Sequence, residues 1–219
     1  MVARWGVVTR RRGFARLHAV PDPCPALPRV DRVDARSRLG LQPASLVVGL
    51  LGDVSARKHP ELVFDAMSAL DHDVVLLVAG RTDHATERRL AAMAVDPLLT
   101  DRVVVRRGYL DDTELARCVA ACDALVLAYD TDAPSGILAL ADHVGVPVVA
   151  AGSAWVRALV LARGMGVVTP LSSAGIVDGL RRLRAGGHRP SPGQPPSGPR
   201  DFAQALLGDG ADRPDPTDD

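Results

Sequence analysis

The sequence predicts a doubly wound α/β domain built on a six-stranded parallel sheet, and three observations carry that prediction. Six short apolar runs recur from Ser45 onwards, amphipathic segments of helical spacing lie between them, and turn residues mark the junctions. The runs lack polar alternation, as strands do when helices cover both faces of a sheet. Six β-then-α repeats then need long connections between parallel neighbours, and such crossovers are right-handed.

The elements follow in order. Met1 to Phe14 is a short start. Val20–Pro28 reads VPDPCPALP, an extended connector, because its prolines fix φ and remove donors. Arg29–Leu39 is charged with weak helical spacing, and Gly40 stands where a helix C-cap belongs. The predicted strands are Leu46–Leu51, Val74–Ala79, Val103–Val105, Ala124–Ala128, Pro147–Ala150 and Val167–Thr169. Helices are predicted over 59–70, 84–94, 111–121, 136–144, 153–163 and 173–184. In the first of these Leu62, Val63, Ala66, Met67 and Leu70 fall at helical spacing; in the third Leu115, Cys118, Val119 and Cys122 do. After Gly186 the composition turns to HRPSPGQPPSGP, which reads as a linker. Asp201–Leu207 is expected to form one short helix packing through Phe202, Leu206 and Leu207, and the acidic tail from Asp209 to be disordered. The expected organisation is a start and connector over 1–28, one folded domain over 29–185, and a linker, helix and tail over 186–219.

Composition narrows the function. The chain has 219 residues, 47% of them hydrophobic, enough for one sizeable core. Its 26 basic and 26 acidic residues cancel, which removes the electrostatic case for nucleic acid as a partner. The longest apolar runs fall far short of the ~20 residues that span a bilayer, and no signal peptide follows Met1, so a cytoplasmic location is expected, with a peripheral position at the membrane left open. Cys118 and Cys122 are too lightly partnered for a zinc site and read as buried thiols, so no metal is expected. Asparagine is absent and Lys58 is the only lysine, a bias typical of GC-rich coding sequence. A lysine retained against that bias is the first residue to ask about, its ordinary alternative being a solvated surface position.

In an open doubly wound sheet, ligands bind beyond the carboxyl ends of the strands, near the point where strand order reverses. The loop after the first strand reads GDVSARKHP. Gly52 permits close backbone approach, and Arg57 and Lys58 arrive just before a helix N-terminus, where dipole, amides and side-chain charge all favour an anion. In the loop after the fourth strand, Ser135 and Gly136 precede a helix. They are expected to expose the amides of Gly136, Ile137 and Leu138 as a second anion cradle, unless Ser135 is simply an N-cap. The pair Asp130 and Asp132 reads as turn chemistry and receives no acid–base role. No glycine-rich dinucleotide fingerprint or P-loop is present.

These pieces, in this order, resemble the C-terminal domain of GT-B fold, family 4 type (group 1) glycosyltransferases. The resemblance is carried by VPDPCP, RSRLGL, VVGLLGDVSARKHPELVFDAM, VVLLVAG, VVVRRGYLDDTELARCVAACDALVLAY, SGILALADHVGVPVVAAG and GMGVVTP, and covers about residues 17 to 184. It implies a Rossmann-like half of a GT-B fold and a nucleoside-diphosphate sugar as donor substrate, with no cofactor. Lys58, with Arg57 beside it, would bind the donor diphosphate. Gly108, Tyr109 and Leu110 match the stretch that contacts the base, largely through backbone. Ser135, Gly136, Ile137 and Leu138 match the loop that holds phosphate and sugar.

Three departures accompany the resemblance. The family's two glutamates of the fourth loop fall at Asp132, which would partly substitute at the sugar, and at Leu140, which cannot accept a bond from a ribose hydroxyl. The arginine that many members place after the first-strand glycine is matched by Asp53, whose charge would repel a diphosphate. Only about twenty residues precede the proline connector, so the preceding acceptor domain is expected to be largely missing, and Met1 to Phe14 resembles its end. The implied function is hexosyl transfer with retention, completed by a separate acceptor-domain chain or by a longer chain. The alternative is a non-catalytic nucleotide-sugar-binding or protein-interaction remnant. Self-association through the face a second domain would cover is also expected. A signalling receiver with Asp53 as phosphoacceptor is disfavoured, since Lys58 lies too early and six repeats exceed the five it needs.

Overall fold

The computed structural model describes residues 28–132, 135–187 and 190. The expected start, the connector up to Leu27, the short helix at Asp201–Leu207 and the acidic tail lie outside the described residues.

The described chain runs α1 (Arg32–Leu39), β1 (Leu46–Leu51), a 3-10 turn (Ala56–Lys58), α2 (Pro60–Met67), β2 (Val74–Gly80), α3 (His84–Val95), a second 3-10 turn (Thr100–Arg102) and β3 (Val103–Arg107). It continues through α4 (Asp112–Ala121), β4 (Ala124–Tyr129), α5 (Gly136–Val144), β5 (Val148–Gly152), α6 (Ala154–Ala162), β6 (Gly166–Thr169) and α7 (Ser173–Gly186). All six strands are parallel, in the order β3-β2-β1-β4-β5-β6. The order reverses between β1 and β4, so this is the doubly wound, Rossmann-like sheet that the apolar runs predict.

Local chemistry sets the boundaries. Asp31 caps α1 by accepting from the amides of Val33 and Asp34, so the helix begins at Arg32 and not at Arg29, and Gly40 ends it in the left-handed region as predicted. β3 runs two residues beyond the predicted Val105: Arg106 and Arg107 pair with Ala79 and Gly80 through their backbones while their side chains face solvent. Charged side chains on an edge strand hide it from a hydrophobicity pattern.

Strand side chains alternate between two layers. On one face Val48, Leu50, Leu76 and Val78 pack with Phe64 and Met67 of α2, Leu90 of α3, and Ile176 and Leu180 of α7. On the other side α4 packs against α1 and α5, and α6 lies against β5 and β6.

The amino ends of the strands are closed by two buried arginines. Arg36 donates from Nε to the Ala121 carbonyl at 3.0 Å, from Nη1 to those of Pro43 (2.7 Å) and Ser45 (3.0 Å), and from Nη2 to Asp123 at 2.5 Å. Asp123 also accepts from the Val47 amide at 2.7 Å and from Arg32. Arg102 donates to the carbonyls of Met67, Leu70, Asp71 and Val74. These charges hold elements together at the amino end of the sheet.

Between β1 and β4 the register holds for only two pairs, Val48 with Ala124 and Gly49 with Leu125. The neighbouring ladders β1–β2 and β4–β5 run to their carboxyl ends. The two central strands therefore part company on their carboxyl side, at the switch point. Close packing at their last shared pair needs glycine: a Cβ on Gly49 would lie 2.5 Å from Leu125 Cδ2 and 2.6 Å from Cys122 Sγ. Gly49→Ala is expected to cost about 2 kcal/mol by overpacking, read as a lower urea midpoint at unchanged slope.

Candidate functional site

The site is built where β1 ends. Gly52 follows Leu51 with φ +91°, and its amide donates to the Ala79 carbonyl at 2.8 Å. Gly80, at φ +130°, presses against it so closely that a Cβ there would lie 1.9 Å from the Gly52 carbonyl oxygen, so only glycine fits. The loops after β1 and β2 are joined further by a bridge between Val54 and Thr82 and by the Ala56 amide donating to Asp83 at 3.1 Å. Gly108, at φ +102°, extends the series by donating its amide to the Gly80 carbonyl at 3.1 Å.

The 3-10 turn Ala56–Lys58 then folds the chain back on itself. His59 closes it in the left-handed region (φ 44°, ψ 51°), the only non-glycine with positive φ among the described residues, and Pro60 starts α2. This reversal sends the Lys58 side chain under its own loop. Lys58 is only 4% exposed, so it is not a solvated surface lysine, and its Nζ donates to the Leu51 carbonyl at 2.5 Å. Burial chiefly, with the adjacent Arg57 charge, lowers its pKa to about 8, while Asp53 acts in the opposite direction. Asp53 is thus a partial counter-charge to a desolvated ammonium.

The loop after β4 completes the site. A Cβ on Gly52 would meet Lys58 Nζ at 3.0 Å and the Ile137 side chain at 3.5 Å, so the start of α5 stands against the first loop across the switch point. The Ser135 hydroxyl accepts from the Leu138 amide at 3.3 Å. Ser135 is therefore an N-cap, and the Leu138 amide, expected to be exposed for an anion, is already engaged. The amides of Gly136 and Ile137 have no partner among the described residues and remain directed out of the helix start. Tyr129, the last residue of β4, is buried between the two loops. Arg57 Cζ lies 5.7 Å and Lys58 Nζ 6.0 Å from its ring centroid, and its hydroxyl is 3.2 Å from Ser135 Oγ.

The structure thus brings Arg57, Lys58, Ser135, Gly136 and Ile137 together. Gly108, Tyr109 and Leu110 follow β3 on the same edge, with Tyr109 84% exposed. Asp132 is engaged at the start of α6: its Oδ1 accepts from Ser153 Oγ at 2.9 Å and from the Trp155 amide at 3.2 Å. Those bonds, the Trp155 amide first, hold its pKa below the usual carboxylate range and tie it to the start of α6. Leu140 is buried in α5. Cys118 and Cys122 are buried thiols whose pKa burial raises, to about 11 for Cys118.

Two residues of the site escape the sequence reading. Tyr129 carried a signal, as one of two tyrosines and the polar end of an otherwise apolar strand. His59 bridges the loops, with Nδ1 2.9 Å from Glu61 and Nε2 3.4 Å from Asp130. Its place before Pro60 marks a helix start but not the left-handed backbone.

No helix among the described residues is long and apolar enough to cross a membrane. In comparison with known proteins, the chain is 30% identical over 165 residues to a D-inositol 3-phosphate glycosyltransferase of Mycobacterium marinum, covering 71% of this chain and 34% of that protein. Among solved structures, HepE of Anabaena in complex with UDP and glucose superposes with a TM-score of 0.67 at 21% identity, over 94% of this chain and 56% of that one. Sucrose-phosphate synthase from Thermosynechococcus elongatus gives 0.66 at 22%, over 94% and 52%. The chain therefore spans about a third of that curated relative and about half of each of these solved chains. The family model for glycosyl transferases group 1 matches residues 44–185, the whole of the sheet and the loops at its switch point, and the chain belongs to that family.

Proposed function

We propose that this domain holds the nucleoside-diphosphate sugar in a hexosyl transfer that retains configuration at the anomeric carbon. The observation that carries the reading is Lys58: a desolvated ammonium at the switch point, whose hydrogen bond goes to a backbone carbonyl and not to a carboxylate, facing the start of α5. A desolvated cation of this kind favours a dianionic ligand strongly, because the ligand completes the countercharge that Asp53 supplies only in part. Lys58 and Arg57 would take the diphosphate from one side and the amides of Gly136 and Ile137 from the other. The same groups would stabilise the charge that grows on the diphosphate as the glycosidic bond breaks, already oriented before reaction. Gly108, Tyr109 and Leu110 would receive the base, and Ser135 and Leu138 shape the floor beside the sugar, Leu138 by packing and not by its amide. Asp132 would act indirectly, by anchoring the start of α6. The charges are met by the chain itself, so no cofactor is invoked.

The neighbour HepE, crystallised with UDP and glucose, supports a UDP-sugar as the first donor to try. The acceptor would be presented by a second domain, in the same chain or another, since transfer needs both substrates positioned together. The test is calorimetric titration with UDP-, GDP- and ADP-glucose. One-site binding of one donor, displaced by its free nucleoside diphosphate, is expected; no binding of any would remove the reading.

A further inference from the structure

The two halves of the crevice share few backbone bonds, because the β1–β4 register stops at Gly49 and Leu125. Side chains must therefore hold the loops in place where a ligand would enter. Tyr129 is rooted firmly enough to do so: it is 3% exposed, its strand pairs with Gly152 of β5, and its carbonyl accepts from the Ser153 amide at 2.6 Å. Its ring lies 5.7 Å from the Arg57 guanidinium and 6.0 Å from the Lys58 ammonium, and its hydroxyl reaches Ser135 at the head of α5.

Resting on the donor-site reading, we propose that Tyr129 is the positioning residue of the site: its ring seats both cations of the first loop while its hydroxyl ties Ser135, so that two loops present one diphosphate cradle. The chemistry explains why an aromatic stands here. Adjacent cations repel, and a carboxylate between them would relieve the repulsion only by neutralising the charge that an anion needs. The face of an aromatic ring attracts cations through its quadrupole without cancelling their charge. Tyr129 therefore holds Arg57 and Lys58 close with their charge intact.

The test keeps the shape of the side chain and changes its electrostatics. Tyr129→Phe removes the hydroxyl; pentafluorophenylalanine at position 129 also reverses the ring quadrupole. Two readouts are taken: UDP affinity by calorimetry, and the Lys58 titration midpoint by NMR after reductive 13C-methylation. Lys58 is the only lysine, and Lys58→Arg identifies its signal against the terminal amine. Tyr129→Phe is expected to weaken UDP binding about three-fold. The fluorinated ring is expected to weaken it by a further five- to thirty-fold and to move the Lys58 midpoint below that of the wild type. Circular dichroism melts check that both variants fold. A fluorinated variant matching Tyr129→Phe in either readout overturns the proposal. If wild-type protein binds no UDP or other donor, the donor-site reading fails, and the Lys58 midpoint alone decides whether the ring seats the cation.

Discussion

Lys58→Met is expected to stabilise the fold at neutral pH by about 1–2 kcal/mol while weakening nucleoside-diphosphate binding thirty- to a hundredfold. Both effects have one cause. A folded-state pKa of about 8 against an ordinary 10.5 means that the fold disfavours the ammonium by about 3 kcal/mol. Methionine removes that cost, fills similar space, and leaves the Leu51 carbonyl short of a donor, which returns part of the gain. The diphosphate would lose the charge-assisted bond proposed for Lys58.

The pH dependence follows with a definite sign. Below about pH 8 Lys58 is protonated both folded and unfolded, and its full cost is present. Between about 8 and 10.5 the unfolded chain binds the extra proton, so stability rises with pH through that window and levels off above it. Affinity for the diphosphate moves the other way, falling above about pH 8 as the ammonium is lost. Lys58→Met should abolish both slopes. Denaturant melts and calorimetry at pH 7 and 9 read them, and parallel slopes in wild type and variant would show that Lys58 is not the titrating group.

The second large effect lies at the other end of the sheet. Arg36→Met is expected to cost about 3–5 kcal/mol, a large part of the ~5–15 kcal/mol that holds an ordinary domain folded. The substitution breaks a half-buried pair with Asp123 and strips donors from the carbonyls of Ala121, Pro43 and Ser45. Arg36→Lys should recover little, because one ammonium cannot reach the positions that the planar fork serves. Urea unfolding measures both, and a loss under 1 kcal/mol for Arg36→Met would show that the network is ornamental to stability.

The sheet was legible because its strands are buried on both faces, which leaves the near-continuous apolar runs at Leu46–Leu51 and Val74–Gly80. Legibility failed where backbone and side chain disagree. Arg106 and Arg107 pair as strand with exposed charged side chains, and Arg36 and Arg102 look like surface cations but are buried by distant carbonyls that no local pattern reveals. In the site, rarity and its place before a helix start singled out Lys58. Its burial depends on the left-handed turn at His59, and Tyr129 acquires its neighbours only when β1 and β4 lie side by side. The helix-start amides were predicted as a set of three, but the N-cap chemistry of Ser135 takes one of them.

If the loops at the β1–β4 switch point receive the diphosphate, as proposed, their amides should respond to it. Amide NMR of the 15N-labelled chain titrated with UDP tests it most directly. Perturbations are expected to concentrate at Gly52, Lys58, Gly108 to Leu110, Gly136 and Ile137. Perturbations gathered at the opposite end of the sheet, around Arg36 and Arg102, would contradict it.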